Sequence, residues 1–239
     1  VEMAQLVAKE TWLQLDGIYT HLATADVAGH EATARQIAEF DRVCDELKLI
    51  GLLPSRVHIA NSSATMNHIG IASQMNNAPT MTRVGIAMYG IAADSQSNSF
   101  GVATADALQT VMSLKARVSH VQWVEAGEAV SYGLHRTLNQ RSCIATLPIG
   151  YADGLPRGLW SSGEVLIGGK RRSFAGVITM DQVMINCESD DVQIGDEAVL
   201  LGQQDDYRVT ANDWARQLGT IGYEIVCGIS ARVPRNYLR

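Results

Sequence analysis

Hydrophobic and polar residues follow two different periods along this chain, and the first half is helical in its longer stretches. Apolar residues recur at helical spacing over residues 3–13 and 37–47, and Gly51 and Pro54 end the second pattern. Residues 63–69 predict a short helical turn. Three short apolar runs predict strands, at residues 15–22, 56–60 and 81–85. Strands that alternate with helices predict βαβ units around a parallel sheet.

In the second half the period changes to two. Apolar and polar residues alternate over 112–119, as they do in a strand with one buried face. Gly168-Gly169 lies between an apolar run at 165–167 and the run from Phe174, which is a hairpin signal. Residues 197–201 predict a further strand. Together these patterns predict an antiparallel, β-rich region.

The chain is expected to form one domain over residues 1–105 and a second over 106–239, because a stretch rich in Ser, Asn, Gln and Gly separates the two patterns. Near the end of the second domain, Thr210 and Asp213 have the spacing of a capping box. The short helix that they open is expected to end at Gly219.

The composition is that of a globular protein, with 239 residues, 46% hydrophobic residues and a formal net charge of −6. The basic run Lys170-Arg171-Arg172 is expected to be a solvated hairpin face, so nucleic acid is not an expected partner. No apolar run reaches the roughly 18 residues that span a bilayer, and no membrane association is expected. The four cysteines show no C-x-x-C spacing and are expected to be buried free thiols of a cytoplasmic protein.

Polar residues follow the ends of the three predicted strands of the first half. They are His21, Asn61-Ser62, and Arg83 with Gly85-Ile86. The C-terminal ends of parallel strands are where a (β/α) barrel keeps its active site, but three strands cannot close a barrel of about eight. We therefore expect further strands upstream of Val1.

Each of these residues also has a plain structural interpretation, and spacing alone leaves both open. His21 is interpreted as a satisfied polar residue, Asn61 as a helix N-cap and Arg83 as a structural ion pair. The six histidines have no spacing typical of metal ligands, so no metal site is expected.

Seven motifs, taken in order, resemble those of one family. They are His21 to Asp26, His58 to Ser62, Arg83 to Gly90, Val130 to Gly133, Pro148 to Gly154, Met180 to Gln182, and Arg232 to Arg235. They resemble the C-terminal two-thirds of the alanine racemases, which are pyridoxal-phosphate enzymes. The resemblance implies an α/β plus β protein: the second half of an alanine-racemase-type (β/α)8 barrel, followed by a β-rich C-terminal domain.

The resemblance also implies an activity, the racemisation of L-alanine and D-alanine by two bases, which supplies D-alanine for peptidoglycan. Tyr132 matches one base, and His21, Arg83 and His58 match a hydrogen-bonded relay behind it. The other base is the lysine that binds the cofactor. In the family the tyrosine reaches the cofactor of the other subunit, so a head-to-tail homodimer is implied.

Binding roles follow from the same resemblance. The residues that match cofactor ligands are His21, Asn61, Ser62, Arg83, Gly85, Ile86 and Tyr223. Met180 matches the residue whose backbone N–H holds the substrate carboxylate. Tyr151 matches part of the narrow entrance, with Asp26 and Arg157 further out.

The sequence departs from the family at two points. Val177 stands where the family often has arginine. The cofactor lysine belongs to an N-terminal motif that has no counterpart here. The only lysines are Lys9, Lys48, Lys115 and Lys170. We therefore expect this chain to lack that N-terminal part and to be inactive on its own. The alternatives are a serine or broad-specificity racemase of the same fold, and a non-catalytic scaffold.

Overall fold

The computed structural model describes residues 1–67, 77, 79–92 and 108–238. The chain divides into two compact units, Val1–Gln109 and Thr110–Arg239. The domain boundary expected between residues 105 and 106 lies outside the described residues and stays a prediction. In the described part, no helix is both long enough and apolar enough to cross a membrane.

The N-terminal unit contains a βαβ arrangement. Its elements among the described residues are α1 (Glu2–Lys9), β1 (Gly17–Tyr19), α2 (Glu31–Leu49), β2 (Arg56–His58), α3 (Ser62–Met66) and a 3-10 helix (Ile86–Tyr89). β1 and β2 pair in parallel, with Ile18 opposite Val57. Phe40 and Cys44 of α2 pack into a buried cluster with Val57 and Ile59. The predicted βαβ unit is therefore confirmed for these two strands.

Local signals define both ends of α2. The side chain of His30 caps its N-terminus by accepting a hydrogen bond from the Ala32 N–H. At the C-terminus Gly51 adopts a φ of 71°, a left-handed conformation that glycine reaches without steric cost. The predicted helix and its end at Gly51 are confirmed.

The predicted third strand over 81–85 is wrong. Residues 80–83 make two backbone hydrogen bonds to β2 and the residues after it. The Thr80 N–H donates to Val57 O, and the Arg83 N–H donates to Ala60 O. A strand assignment needs a continued ladder, and here the chain turns at once into the 3-10 helix that begins at Ile86. The first strand is three residues long rather than eight.

The two short helices differ from their predicted extents. α1 ends at Lys9, because the apolar residues that would continue it find no core among the described residues; Leu13 is exposed. α3 begins at Ser62, one residue earlier than predicted, and ends at Met66. Residue 69, the predicted end of that helical turn, lies outside the described residues.

The C-terminal unit is β-rich, and every strand pairing in its described residues is antiparallel, as the alternation predicts. Its strands are β3 (Leu114–Arg117), β4 (His120–Val124), β5 (Ser142–Leu147), β6 (Glu164–Ile167), β7 (Lys170–Ser173), β8 (Val183–Asn186), β9 (Glu197–Gln204) and β10 (Tyr207–Val209). One sheet has the order β10-β9-β6-β7 with β3 also on β9, and the other has the order β4-β5-β8.

Burial follows the alternation that predicted β3. Leu114 and Val118 are buried, whereas Lys115 and Arg117 between them are exposed. β9 is longer than its predicted five residues, because it pairs with three other strands. The fully buried Trp214 contributes the largest side chain to the core of this unit.

The turn of the predicted hairpin is confirmed, but the prediction of its second strand is wrong. Gly168 and Gly169 both have positive φ, 61° and 67°, which is the conformation that two-residue hairpin loops require. The strand that follows is Lys170–Ser173, so the run from Phe174 comes after it.

The basic run on β7 is not a solvated face throughout. Arg172 is buried, forms an ion pair with Asp190 and donates to the Cys187 carbonyl at 3.1 Å. These partners offset the cost of burying the two terminal nitrogens of the guanidinium, whereas the buried Nε has no hydrogen-bond partner among the described residues. The cysteine prediction is also only partly right, since Cys227 is exposed while the other three free thiols are buried.

Two helices follow β10, α4 (Ala211–Leu218) and α5 (Gly222–Gly228). The predicted capping box of α4 is confirmed: Thr210 Oγ1 accepts from the Asp213 N–H at 3.1 Å, and Asp213 Oδ2 accepts from the Thr210 N–H at 2.8 Å. α4 ends at Gly219 with a φ of 68°, as predicted.

Candidate active site

Arg83 lies at the centre of a polar cluster in the N-terminal unit. Its Nη1 lies 2.7 Å from Nδ1 of His58, and its Nη2 lies 3.3 Å from Nδ1 of His21. Nη2 also donates to the backbone carbonyls of Thr20 and Ile59 at 2.9 and 3.2 Å. Arginine carries only donors, so each of these partners acts as an acceptor. The structure therefore brings together His21, His58 and Arg83.

His58 is held in its neutral form by this arrangement. Burial lowers the pKa of His58 below its ordinary value, and the charge of Arg83 lowers it further. Its Nδ1 accepts from Arg83, which leaves the proton of the neutral ring on Nε2. The ring of Tyr19 stacks on His58 at 5.1 Å and faces the guanidinium at 5.0 Å. The cluster is thus one cation surrounded by neutral acceptors.

Asn61 has the structural role that was left open for it. Its Oδ1 accepts from the Ala64 N–H at 2.9 Å and caps α3. Its Nδ2 donates to the Leu22 carbonyl at 3.2 Å and lies 3.5 Å from Nε2 of His21. Asn61 therefore ties the start of α3 to the His21 segment, whether or not it also contacts a cofactor.

Ser62 and the start of the 3-10 helix form a group of hydrogen-bond donors, which we call the anion cradle (Ser62, Gly85, Ile86). The buried Ser62 hydroxyl accepts from the N–H of Gly85 at 3.0 Å, which leaves its own O–H as a donor. Ile86 begins the 3-10 helix, so its N–H has no partner within that helix. A Cβ placed on Gly85 would meet no described atom within 4 Å, so there is room beside this backbone.

This donor set fits the phosphate of pyridoxal phosphate. A phosphate needs several N–H and O–H donors at one place, and the anion cradle offers them at the start of two helices. Arg83 adds a permanent cation in the same unit. Within the described residues, the hydrogen-bond partners of Ser62, Gly85 and Arg83 include no carboxylate.

The C-terminal unit has a cavity of about 580 Å³, which we call the tyrosine cavity. Its lining residues are Tyr132, Tyr151, Arg157, Val177, Ile178, Thr179, Met180, Asp181 and Gln182. Four residues singled out in the sequence, Tyr132, Tyr151, Met180 and Arg157, are therefore brought together. Tyr223 lies half-buried on α5 and is not part of this lining, and Asp26 lies half-buried in the N-terminal unit.

Tyr151 and Met180 are neighbours because their backbones are hydrogen-bonded. The Tyr151 N–H donates to Thr179 O and the Ala152 N–H donates to Met180 O, both at 3.0 Å. A Cβ on Gly150 would lie 2.3 Å from Thr179 O, so only glycine permits this approach. Within the segment Pro148 to Gly154, Tyr151–Asp153 form a 3-10 helix, and Tyr151 lines the cavity wall.

Sequence reasoning missed the contacts behind this wall. Arg232 donates from Nη2 to Asp181 Oδ1 at 2.8 Å, and its Nε lies 3.4 Å from Oδ1 of the buried Asp153. The hydrogen bond to Asp181 raises the pKa of Arg232, and the charge of Asp153 raises it further. All three residues belong to motifs quoted for the resemblance, but the motifs do not show that they meet.

None of the four lysines is among the residues that form either cluster. Lys9 and Lys48 are in the last turns of α1 and α2. Lys115 pairs with Glu197 and Lys170 with Asp190, each at 2.8 Å. In the described part of the chain, no group of three or more His, Cys, Asp or Glu side chains could hold a metal ion.

The fold and these clusters define a two-unit protein, with an anion cradle in a βαβ unit and a tyrosine-lined cavity in a β-rich unit. Two family models match the chain: "Alanine racemase, N-terminal domain" over residues 1–93 and "Alanine racemase, C-terminal domain" over residues 111–237. The chain belongs to the alanine racemase family.

Named relatives agree with this assignment. The alanine racemase of Symbiobacterium thermophilum is 42% identical over 232 residues, which are 97% of this chain and 59% of that protein. The crystal structure of the Streptomyces coelicolor enzyme has a TM-score of 0.87 at 39% identity, over 99% of this chain and 60% of that one. A Bacillus anthracis alanine racemase with bound L-Ala-P has a TM-score of 0.83 at 38% identity, over 96% of this chain and 56% of that one. The chain thus spans about three-fifths of the length of these relatives.

Proposed function

We propose that the protein to which this chain belongs interconverts L-alanine and D-alanine with pyridoxal 5′-phosphate. The observation that carries the proposal is the position of Arg83, bound to His58 and His21 in the same unit as the anion cradle. Because no carboxylate among the described residues neutralises Arg83, its positive charge is available to the pyridine nitrogen of the cofactor. The donors of the anion cradle suit the phosphate of the same cofactor. The relatives that bear the name alanine racemase support this choice of activity.

The cofactor residues of the proposal have separate tasks. Ser62 would hold the phosphate through its hydroxyl and Ile86 through its backbone N–H, while the Gly85 N–H, which donates to the Ser62 hydroxyl, would orient that hydroxyl. The Tyr223 hydroxyl is proposed to join them. Arg83 would hold the pyridine nitrogen as a hydrogen-bond donor, because arginine stays protonated at any working pH. His21 and Asn61 keep the strand ends in place around it. When bound, the cofactor supplies the electron sink that removal of an α-proton requires.

In the tyrosine cavity, Tyr132 is proposed to take and return the proton on one face of the substrate. Met180 is proposed to hold the substrate carboxylate by its backbone N–H. Tyr151 is proposed to narrow the entrance to the cavity, and Arg157 is proposed to lie further out. A two-base reaction needs one acid/base group on each face of the α-carbon, so Tyr132 on one face requires a second base on the opposite face.

The second base is proposed to be a lysine that lies outside the sequence Val1–Arg239. Lys9 and Lys48 lie on helices, and Lys115 and Lys170 are engaged with carboxylates. We further propose a head-to-tail homodimer in which Tyr132 serves the cofactor site of the other subunit. A cytoplasmic enzyme that supplies D-alanine for peptidoglycan would suit this chemistry.

The test is a racemisation assay of the full-length protein supplied with pyridoxal phosphate. L-alanine and D-alanine are each followed to equilibrium, with L-serine at the same concentration in a parallel reaction. We expect alanine to racemise faster than serine. Faster serine turnover would support the broad-specificity alternative, and no turnover of either amino acid would support the non-catalytic scaffold.

A further inference from the structure

Ser131, the residue before Tyr132, has a backbone conformation that is unusual for any residue other than glycine. Its φ is 71° and its ψ is 174°. This region of φ and ψ is populated almost only by glycine, and other residues keep it only where surrounding contacts impose it. The conformation therefore indicates that something holds Ser131 in place.

Two contacts hold it. The Ser131 hydroxyl donates to the Val177 carbonyl at 2.8 Å. The backbone of Gly176, which is buried, comes so close that a Cβ there would lie 2.6 Å from the Ser131 Cβ and 2.7 Å from Val130 O. Gly176 itself has a φ of 153°. Residue 176 must therefore be glycine, because any side chain there would keep Ser131 from approaching the Val177 carbonyl.

The side chain of Tyr132 is not held by packing of its own. It is 77% exposed, so the direction of its Cα–Cβ bond depends on the backbone on either side. On the far side Gly133 and Leu134 also have positive φ, 74° and 49°. The Leu134 N–H closes the turn onto Ser131 O at 3.4 Å. Among the described residues, the hydrogen bond from Ser131 to Val177 is the side-chain hydrogen bond that residues 131–134 make.

We propose that Ser131 is a positioning residue for Tyr132, whose hydroxyl and strained backbone fix the tyrosine at the edge of its cavity; this rests on the role proposed for Tyr132. The anchor acts through Val177, which lines the same cavity. The backbone that carries Tyr132 is thereby fixed before the substrate binds. Proton transfer then requires no rearrangement of the turn. Ser131 touches no substrate in this proposal.

The test compares Ser131→Ala with Ser131→Gly in the full-length protein. Alanine keeps the backbone strain and loses the hydroxyl that compensates for it, so the turn should relax and misplace Tyr132. Glycine also loses the hydroxyl but adopts this φ and ψ without strain. We expect proton removal by Tyr132 to fall about tenfold to a hundredfold in Ser131→Ala, with part of it recovered in Ser131→Gly.

Ser119→Ala is the matched control. Ser119 also donates from its hydroxyl to a backbone carbonyl of the same unit, Thr146 O at 3.1 Å, and does not line the cavity. This variant is expected to keep wild-type rates. If it loses as much activity as Ser131→Ala, the effect of Ser131 is a general loss of stability and the proposal is wrong.

Two readouts separate positioning from a structural role. With α-deuterated alanine, the isotope effect in Ser131→Ala should rise for one enantiomer only, the one whose proton Tyr132 removes. Independently of turnover, amide hydrogen exchange of residues 130–134 should be faster in Ser131→Ala than in wild type. Equal isotope effects for both enantiomers, or unchanged exchange, would overturn the proposal.

The exchange measurement also separates this proposal from the proposed function. If wild type does not racemise alanine, the racemase assignment fails, while faster exchange in Ser131→Ala still shows that the hydroxyl anchors the turn. If wild type racemises alanine and exchange is unchanged, the assignment stands and the anchor is refuted.

Discussion

Nδ1 of His58 accepts a hydrogen bond from Nη1 of Arg83 over 2.7 Å, so the two side chains are compatible only while the imidazole is neutral. Protonation would place a proton between them and a second positive charge beside the guanidinium. Burial of the ring, and then the charge of Arg83, lower the pKa of His58 below its ordinary value of 6.5. The contact therefore makes the stability of the N-terminal unit depend on pH.

We predict from this contact that stability falls as the pH is lowered through about 6.5. The unfolded chain, in which His58 has its ordinary pKa, binds the proton before the folded chain does. The free energy of unfolding therefore decreases between pH 6.5 and the lower pKa of the folded state, and levels off below it. Urea unfolding at a series of pH values measures this slope, and His58→Gln should reduce it.

His120→Gln is the control for that experiment, because His120 is an exposed residue of β4 whose ring makes no hydrogen bond with an arginine in the described residues. It should leave the slope as in wild type. If His58→Gln also leaves the slope unchanged, His58 is not the group that links stability to pH.

A second prediction concerns the anion cradle. Ser62→Ala removes the hydroxyl that accepts from Gly85, and with it a donor proposed for the phosphate. Hydrogen bonds to charged groups contribute about 1.5–3 kcal/mol, so the full-length protein should bind pyridoxal phosphate about tenfold more weakly or worse. The affinity for pyridoxal, which has no phosphate, should change much less. Both affinities can be measured by absorbance titration.

Ser63→Ala offers a matched control, since Ser63 is the next residue of α3 and is equally buried. We expect it to keep the preference for pyridoxal phosphate over pyridoxal. A loss of that preference in both variants, or in neither, would contradict the phosphate role of Ser62.

The sequence predicted best those features whose cause is local. The capping box of Thr210 and Asp213, the end of α2 at Gly51 and the Gly168-Gly169 turn all depend on neighbouring residues, and all are confirmed. The third strand failed because a strand exists only if a partner continues the ladder, which the residues of the strand do not encode. Arg172 was misjudged for a similar reason, since its partner Asp190 is 18 positions away.

The candidate site shows the same difference between features with a local cause and contacts between distant residues. His21 and Asn61 could be expected to converge, because each follows one of two parallel strands whose C-terminal ends lie at one edge. Arg83 joins them although residues 81–85 form no strand. The contact of Arg232 with Asp181 spans 51 positions and has no local signal. The backbone strain at Ser131 is equally hidden, because serine is not a residue whose presence indicates a positive φ.

A third prediction tests Tyr132 itself. Tyr132→Phe removes the phenol and keeps the ring, so removal of the proton from one enantiomer of alanine should fall by about 10²–10⁴-fold. The same step for the other enantiomer should fall much less. Exchange of the α-proton with deuterated solvent in a single turnover measures each face separately.

Tyr207→Phe is its control, because Tyr207 is also an exposed tyrosine of the C-terminal unit but lies on β10, outside the cavity lining. Its exchange rates should equal those of wild type. Equal losses for both enantiomers in Tyr132→Phe would count against the assignment of Tyr132 as the base for one face.

The last prediction concerns Arg232, which does not line the tyrosine cavity but contacts Asp181, a residue of its wall. Its guanidinium contacts Asp181, next to Met180, and the buried Asp153, whose Oδ2 accepts from the Gly150 N–H at 2.9 Å. One cation therefore fixes both segments that meet at the wall. Exposed ion pairs are weak, so we expect Arg232→Gln to raise the KM for alanine by only about two- to fivefold and to change kcat less. Steady-state kinetics of the full-length protein measure both.

Two companion variants show whether the contact with Asp181 is the cause. Asp181→Asn should raise KM by a similar factor, and the double variant should be no worse than either single one, because both changes break the same contact. Arg216→Gln removes an equally exposed arginine that pairs with Asp213 on α4, away from the cavity, and should leave KM unchanged. If the effects of Arg232→Gln and Asp181→Asn multiply in the double variant, the two residues act independently and Arg232 does not position the wall through Asp181.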